Sequence, residues 1–330
     1  MAKNKKNVPV AVPSNPLTIY DRTVCLDISF SIPGVKRKMD TAELNEDADA
    51  QLIHVSKDLL SSPELQAIRT LDAKIMNYLR GHSCPSPFLK RGIYLIPNGL
   101  VKKIDERLNH IDTTGNYDEM GFFQQRQELI NDFIKKYPKQ KEEAKKRLKE
   151  HYDESEYPKP ARLRAAFRVA HKWFSLATPD NIKNIAPTIF EQEQEKAKKE
   201  WSNSFNEIQQ ALRQGFLQML DTVNGSLNPL DGKKKRFKTV TIERLLEFMD
   251  TFNDRNITDD VELAKIVAQA KSLISEGKSG KLKPQALAED LRENEGFRKS
   301  IQSKFGNLCK NLANITVDVT ESRGILGLDD

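Results

Sequence analysis

The sequence predicts a mainly α-helical fold: long amphipathic helices forming a helical hairpin or bundle, with a small β-sheet beside them. Three observations lead there. Fifteen glycines and fifteen prolines in 330 residues are too few for the frequent turns of a many-stranded sandwich. Charged residues make up 30% and apolar residues 38%, a balance that suits helices with one face in water. Apolar residues also recur at three- and four-residue spacing along most of the chain, which argues against wholesale disorder.

The elements follow in order. Residues 1–20 read as a flexible tail, with Lys3, Lys5 and Lys6 ahead of Pro9, Pro13 and Pro16. Val24, Leu26, Ile28, Phe30 and Ile32 then alternate with small or polar residues, the period of two that marks a strand at about 22–32. Pro33-Gly34 stops it. Ser62-Pro63-Glu64 announces a helix: serine caps, proline suits the first turn and glutamate the positive end. Leu65, Ile68, Leu71, Ile75 and Leu79 keep one face apolar up to Gly81. Ile93 to Ile96 is a second extended segment, and Leu100, Ile104, Leu108 and Ile111 mark another helix.

After the break at Thr113 to Asn116, a long helix carries Phe122, Leu129, Phe133 and Tyr137 and continues as a charged stretch through Lys149. A further helix is expected at 161–176. Another runs over 187–222, with Trp201, Phe205, Ile208, Leu212, Phe216 and Leu220 on a narrow stripe. The two long helices are expected to pair as an antiparallel hairpin. Helices at 241–253, 259–276 and 284–312 follow, the second capped by Thr258. Ile315, Val317 and Val319 alternate again, so a closing strand at about 315–319 is expected to pair with residues 22–32. The domain reading is a tail over 1–20, an α+β region over 21–112, a coiled-coil-like region over 118–223, a basic linker over 224–238 and a helical region over 239–330.

Several chemistries are excluded by spacing. The five histidines (His54, His82, His110, His151, His171) lie far apart, and the cysteines Cys25, Cys84 and Cys309 are too scattered for a disulfide framework or a zinc knuckle. His82-Ser83-Cys84 offers two ligand atoms where a structural zinc site takes four. Gly277-Lys278-Ser279 echoes a phosphate-binding loop, but Ser272 stands where that loop needs glycine. No metal, no cofactor and no catalytic residue is therefore expected, although dispersed groups can assemble a site that no motif reveals. No apolar run approaches the roughly 18 residues of a membrane span, and the basic N-terminus lacks the apolar core of a secretory leader.

The net charge of +6 is spread thinly. Residues 1–110 carry 16 Lys+Arg against 12 Asp+Glu, residues 111–180 carry 14 against 12, and residues 181–330 carry 23 of each. Any anion binding must come from local clusters. Two qualify. Arg164, Arg168 and Lys172 repeat every four residues and make one stripe if 161–176 is helical. Lys233, Lys234, Lys235, Arg236 and Lys238 crowd the linker. Either suits nucleic acid or an acidic protein surface. The mixed run Lys135 to Glu150 reads as a solvated helix face with ion pairs four residues apart.

The order of TVCLDISFSIPGVKRKM, PELQAIRTLDAKIMNYL and FLKRGIYLIPNGLVKKIDERL, followed by a charged long helix, resembles a bacterial and phage family of unknown function. That family is often encoded beside a MoxR-like AAA+ ATPase, sometimes with a von Willebrand A-type protein. The similarity covers about the first two-thirds of the chain, with an echo in RFKTVTIERLLEFMDTFNDRNITDDVELAKIVAQAKSLI. It implies a non-enzymatic adaptor or accessory partner of such an ATPase, in the cytoplasm of a bacterial host. The alternative is a nucleic-acid-binding accessory protein of DNA recombination or replication.

Overall fold

The computed structural model describes residues 21–38, 56–86, 89–176, 184–227, 239–275 and 283–316. The fold is mainly helical with a small antiparallel sheet. Its elements are β1 (Thr23–Ser31), β2 (Lys36–Lys38), β3 (Ser56–Asp58), α1 (Pro63–His82), β4 (Ile93–Pro97), α2 (Asn98–Asn109), α3 (Phe122–Leu148), α4 (Pro160–Ala166) and β5 (Arg168–Phe174). Then come α5 (Pro187–Leu227), α6 (Thr239–Arg255), α7 (Val261–Ser275), α8 (Pro284–Glu293) and α9 (Glu295–Ile315). One sheet has the order β4–β1–β5, and β2 and β3 form a separate ribbon.

The described residues divide into two compact units. One is drawn from the described residues within Met1–Asp27, Asn77–Val101 and Trp173–Asp330, the other from those within Ile28–Met76 and Lys102–Lys172.

The first unit is a helical assembly. Helix α5 packs against α9 and α6, and α8 and α7 close around them. Its core takes Phe205, Ile208, Leu212, Phe216 and Leu220 from α5, at the spacing that keeps one stripe inward. Phe216 stacks on Phe248 at 5.0 Å. The first five residues of β1 pair with β4, Thr23 opposite Pro97 and Asp27 opposite Ile93. Asp260 caps α7, accepting the Leu263 N–H at 3.0 Å, and also receives two nitrogens of Arg213 at 2.6 and 2.9 Å.

The second unit packs α1 and α3 over the β2–β3 ribbon and α4. Leu65 and Ile68 of α1 meet Ile130, Phe133 and Tyr137 of α3, with Val35, Leu59, Leu60 and Leu163 around them. Ser62 caps α1 through the Leu65 N–H at 3.2 Å. Arg126 reaches from α3 to Asp72 of α1 at 2.7 and 3.2 Å and to the Ser31 carbonyl at 3.1 Å. The Tyr157 hydroxyl donates to the Leu59 carbonyl at 2.9 Å, fastening the loop after α3 to the ribbon.

Five expectations need correction. The helix expected at 161–176 ends at Ala166; Phe167 turns extended (φ −83, ψ 101) and residues 168–174 form β5. The segment RVAHKWF is rich in β-branched and aromatic residues, and a place in the sheet overrides its weak helical spacing. Asp260, not Thr258, caps α7. The helix expected over 284–312 is two helices, because Asn294 is extended and its side chain caps α9 through the Phe297 N–H. Ile315, the expected start of a closing strand, is the last residue of α9, while Val317 and Val319 lie outside the described residues. The two long helices fall in different units, each packed on shorter neighbours of its own.

Candidate functional site

The proposed stripe of Arg164, Arg168 and Lys172 loses its helix. Arg164 sits in the last turn of α4 and donates to the Asn131 side chain at 2.7 Å. Arg168 opens β5 and bonds back to the Ala165 carbonyl at 3.2 Å. Lys172 lies four residues along the same strand, so it shares a face with Arg168 by the two-residue period. Two of the three cations therefore stay aligned, on a strand, and the third is turned to another partner. The cluster Lys233, Lys234, Lys235, Arg236 and Lys238 lies outside the described residues.

The His82-Ser83-Cys84 segment closes α1 and is a structural turn. His82 is buried, with Nδ1 2.9 Å from the Tyr78 carbonyl and 3.4 Å from a Glu247 carboxylate oxygen. Cys84 gives its N–H to the Leu95 carbonyl at 2.8 Å and its thiol faces the Arg255 carbonyl at 3.5 Å. Burial pushes that thiol up to about 12, against the pull of Arg255. The thiolate, the form that attacks or ligates, is disfavoured in that setting. Arg255, fully buried itself, donates to the Ser83 carbonyl at 2.9 Å and lies over the Phe248 ring. Among the described residues, no three His, Cys, Asp or Glu side chains are grouped to hold a metal ion. Nor is any described helix long and apolar enough to cross a membrane.

Two features emerge that no motif announced. The first is the opening half of α5. The helix has 41 residues, about 60 Å of rise; Phe205 is the first residue of its core stripe among the described side chains, and Trp201 lies outside them. Before that, Phe190 is buried, whereas Glu191, Gln192, Glu193, Glu195 and Lys196 are exposed. Ile189 is 54% exposed, and Ile185, just ahead of the helix, 79%. Two isoleucines four residues apart thus stand in water at the start of this helix.

The second feature is a polar cavity of about 520 Å³ in the second unit. It lies between the β2–β3 ribbon, the start of α1 and the last turns of α3. Lys36, Arg69 and Arg147 line it together with Asp58 and Glu143. Residues 69 and 147 are 78 positions apart in the chain, and Arg147 reads from sequence as one more charge on a solvated face, so only packing brings the two together.

No protein-family model, no curated protein and no solved structure matches this chain.

Proposed function

We propose that this chain is a non-enzymatic interaction protein, an adaptor or accessory component working with a MoxR-like AAA+ ATPase in a phage or mobile-element system. The observation that carries the interaction reading is the exposed start of α5, where Ile185 and Ile189 stand in water beside Glu191, Gln192 and Glu193. The resemblance of the first two-thirds of the chain supplies the identity of the partner. An exposed, charged helix with a few apolar anchors is the form in which helices dock on partner grooves, through residues three and four apart.

The test is co-elution of the purified chain with that ATPase, together with ATP turnover measured with and without the chain. The expected result is a complex and a changed turnover. The Ile185→Glu/Ile189→Glu variant should weaken the complex at least about tenfold, as loss of an interface anchor does, while its melting curve stays at the wild-type position. An ATPase that neither binds the chain nor changes its turnover overturns the reading.

The nucleic-acid alternative keeps one specific support, the shared strand face of Arg168 and Lys172. It predicts binding that weakens steeply with salt, by about one unit of log–log slope for each phosphate neutralised. Replacing both residues with alanine should lower that slope. An unchanged slope removes this surface from consideration.

A further inference from the structure

We propose that the cavity of the second unit is a binding site for a small phosphate monoester, gripped by Arg69 of α1 and Arg147 of α3. This proposal is independent of the adaptor reading, which rests on α5. The volume falls within the roughly 300–1,000 Å³ of small-molecule sites. Among the described residues, neither guanidinium has a hydrogen-bond or ion-pair partner. Each guanidinium presents a planar fork of N–H donors that matches two oxygens of a phosphate. Two such forks lining one cavity offer an anion two sets of donors. The capped start of the 20-residue helix α1 opens beside them and adds a weak positive field.

The remaining charges narrow the ligand. Asp58 lies 3.9 Å from Lys36, so those two offset one another. Glu143 is left as a carboxylate that accepts hydrogen bonds and repels further negative charge. A polyphosphate or tricarboxylate meets that repulsion. A single phosphate carrying hydroxyl groups satisfies both ends, its oxygens on the arginines and a hydroxyl on Glu143.

The experiment is calorimetric titration of the full chain with inorganic phosphate and with glycerol 3-phosphate, at low salt. Saturable binding of both is expected, tighter for the ester. The Arg69→Gln/Arg147→Gln variant should lose at least about tenfold in affinity. The Arg69→Lys/Arg147→Lys variant, which keeps charge but not the fork, should lose less. Lys145→Gln/Lys146→Gln, two exposed charges on the same helix outside the cavity lining, should bind as wild type does. Both arginines are exposed, so melting curves without phosphate should coincide, and phosphate should raise the wild-type melting temperature alone. If the glutamine variant does not fold, the lysine variant carries the comparison. Equal affinity in the arginine variants, or no saturation of wild type by about 10 mM phosphate, overturns the site.

Discussion

Each unit holds an arginine–aspartate pair away from water, and the two pairs are built differently. In the second unit, Asp72 lies within α1, where its neighbours' backbone N–H groups are already spent on the helix, and Arg126 is the one partner assigned to its carboxylate among the described residues. In the first, Asp260 stands ahead of α7, where a backbone N–H is still available. It accepts the Leu263 N–H as well as two arginine nitrogens, and its own N–H is held by Asn256 at 2.8 Å. Burial is the largest influence on Asp72 and holds its carboxyl above the ordinary range despite Arg126. Burial likewise works against the charge of Arg213, but Asp260 and Glu262 outweigh it and its pKa rises. A helix terminus offers a buried carboxylate backbone donors that a mid-helix position does not.

The sharpest break is Asp260→Ala. It strands Arg213 in the interior and uncaps α7, and should cost about 3–5 kcal/mol in chemical denaturation. Amide exchange should quicken first at the start of α7 and the end of α9, since Arg213 also donates to the Ile315 carbonyl. Asp260→Asn, which keeps a capping oxygen, should cost clearly less. If the two variants cost the same, the cap contributes nothing.

The next effect runs the other way. Asp72→Leu combined with Arg126→Met should be tolerated within about 1–2 kcal/mol, because apolar residues commonly replace a buried pair without loss. Asp72→Ala alone should cost several times more. A double variant as damaging as the single one would show that the pair itself is needed.

A third comparison uses pH. The Asp72 carboxyl titrates higher folded than unfolded, so the folded state holds its proton more tightly. Its contribution to stability is present below the unfolded value and is lost as pH rises through the folded one. Wild type should therefore lose stability relative to Asp72→Asn as pH rises above about 4. Glu64 behaves oppositely: burial raises its carboxyl, but hydrogen bonds from Lys136 and Ser62 prevail and lower it. Its contribution is present above the ordinary carboxyl range and fades as pH falls, so Glu64→Gln should lower stability at neutral pH and make its loss in acid shallower. The smallest effect expected is Ser62→Ala, about 1 kcal/mol for a lost cap, read by denaturation with exchange followed in the first turn of α1.

Much of this fold is legible in local chemistry. Ser62-Pro63-Glu64 starts α1 as its residue types require, and the spacing from Phe205 to Leu220 forms the inward stripe of α5. The Val24 to Ile32 alternation marks β1 to within a residue at each end. The errors have two causes, local capping choices and competition between local preference and distant partners. Leu163, Phe167, Ala170 and Phe174 satisfy a helical spacing, yet residues 168–174 join a sheet, and no window of sequence contains their partner strand. Asn294 is a residue type that favours N-caps, and it caps α9 through an N–H only three residues on, a local signal that the unbroken apolar spacing around it masked. Arg69 and Arg147 look ordinary one at a time. Which charges share a cavity is decided by how α1 and α3 pack, and that information is nonlocal.

The interleaving of the two units along the chain sets an order of manufacture. All of the second unit has been translated once residue 172 is made, when the first possesses only its earliest pieces: β1's leading residues, the end of α1, and β4. Those pieces must wait, unpaired with most of their core, for Phe205 through Leu312 to emerge from the ribosome. Neither unit can be obtained by a single cut, since each is stitched from separated stretches of chain. A ribosome stalled near residue 210 should thus carry a protease-resistant second unit beside a still-cleavable β4, and shuffling experiments on this protein must permute the chain rather than truncate it.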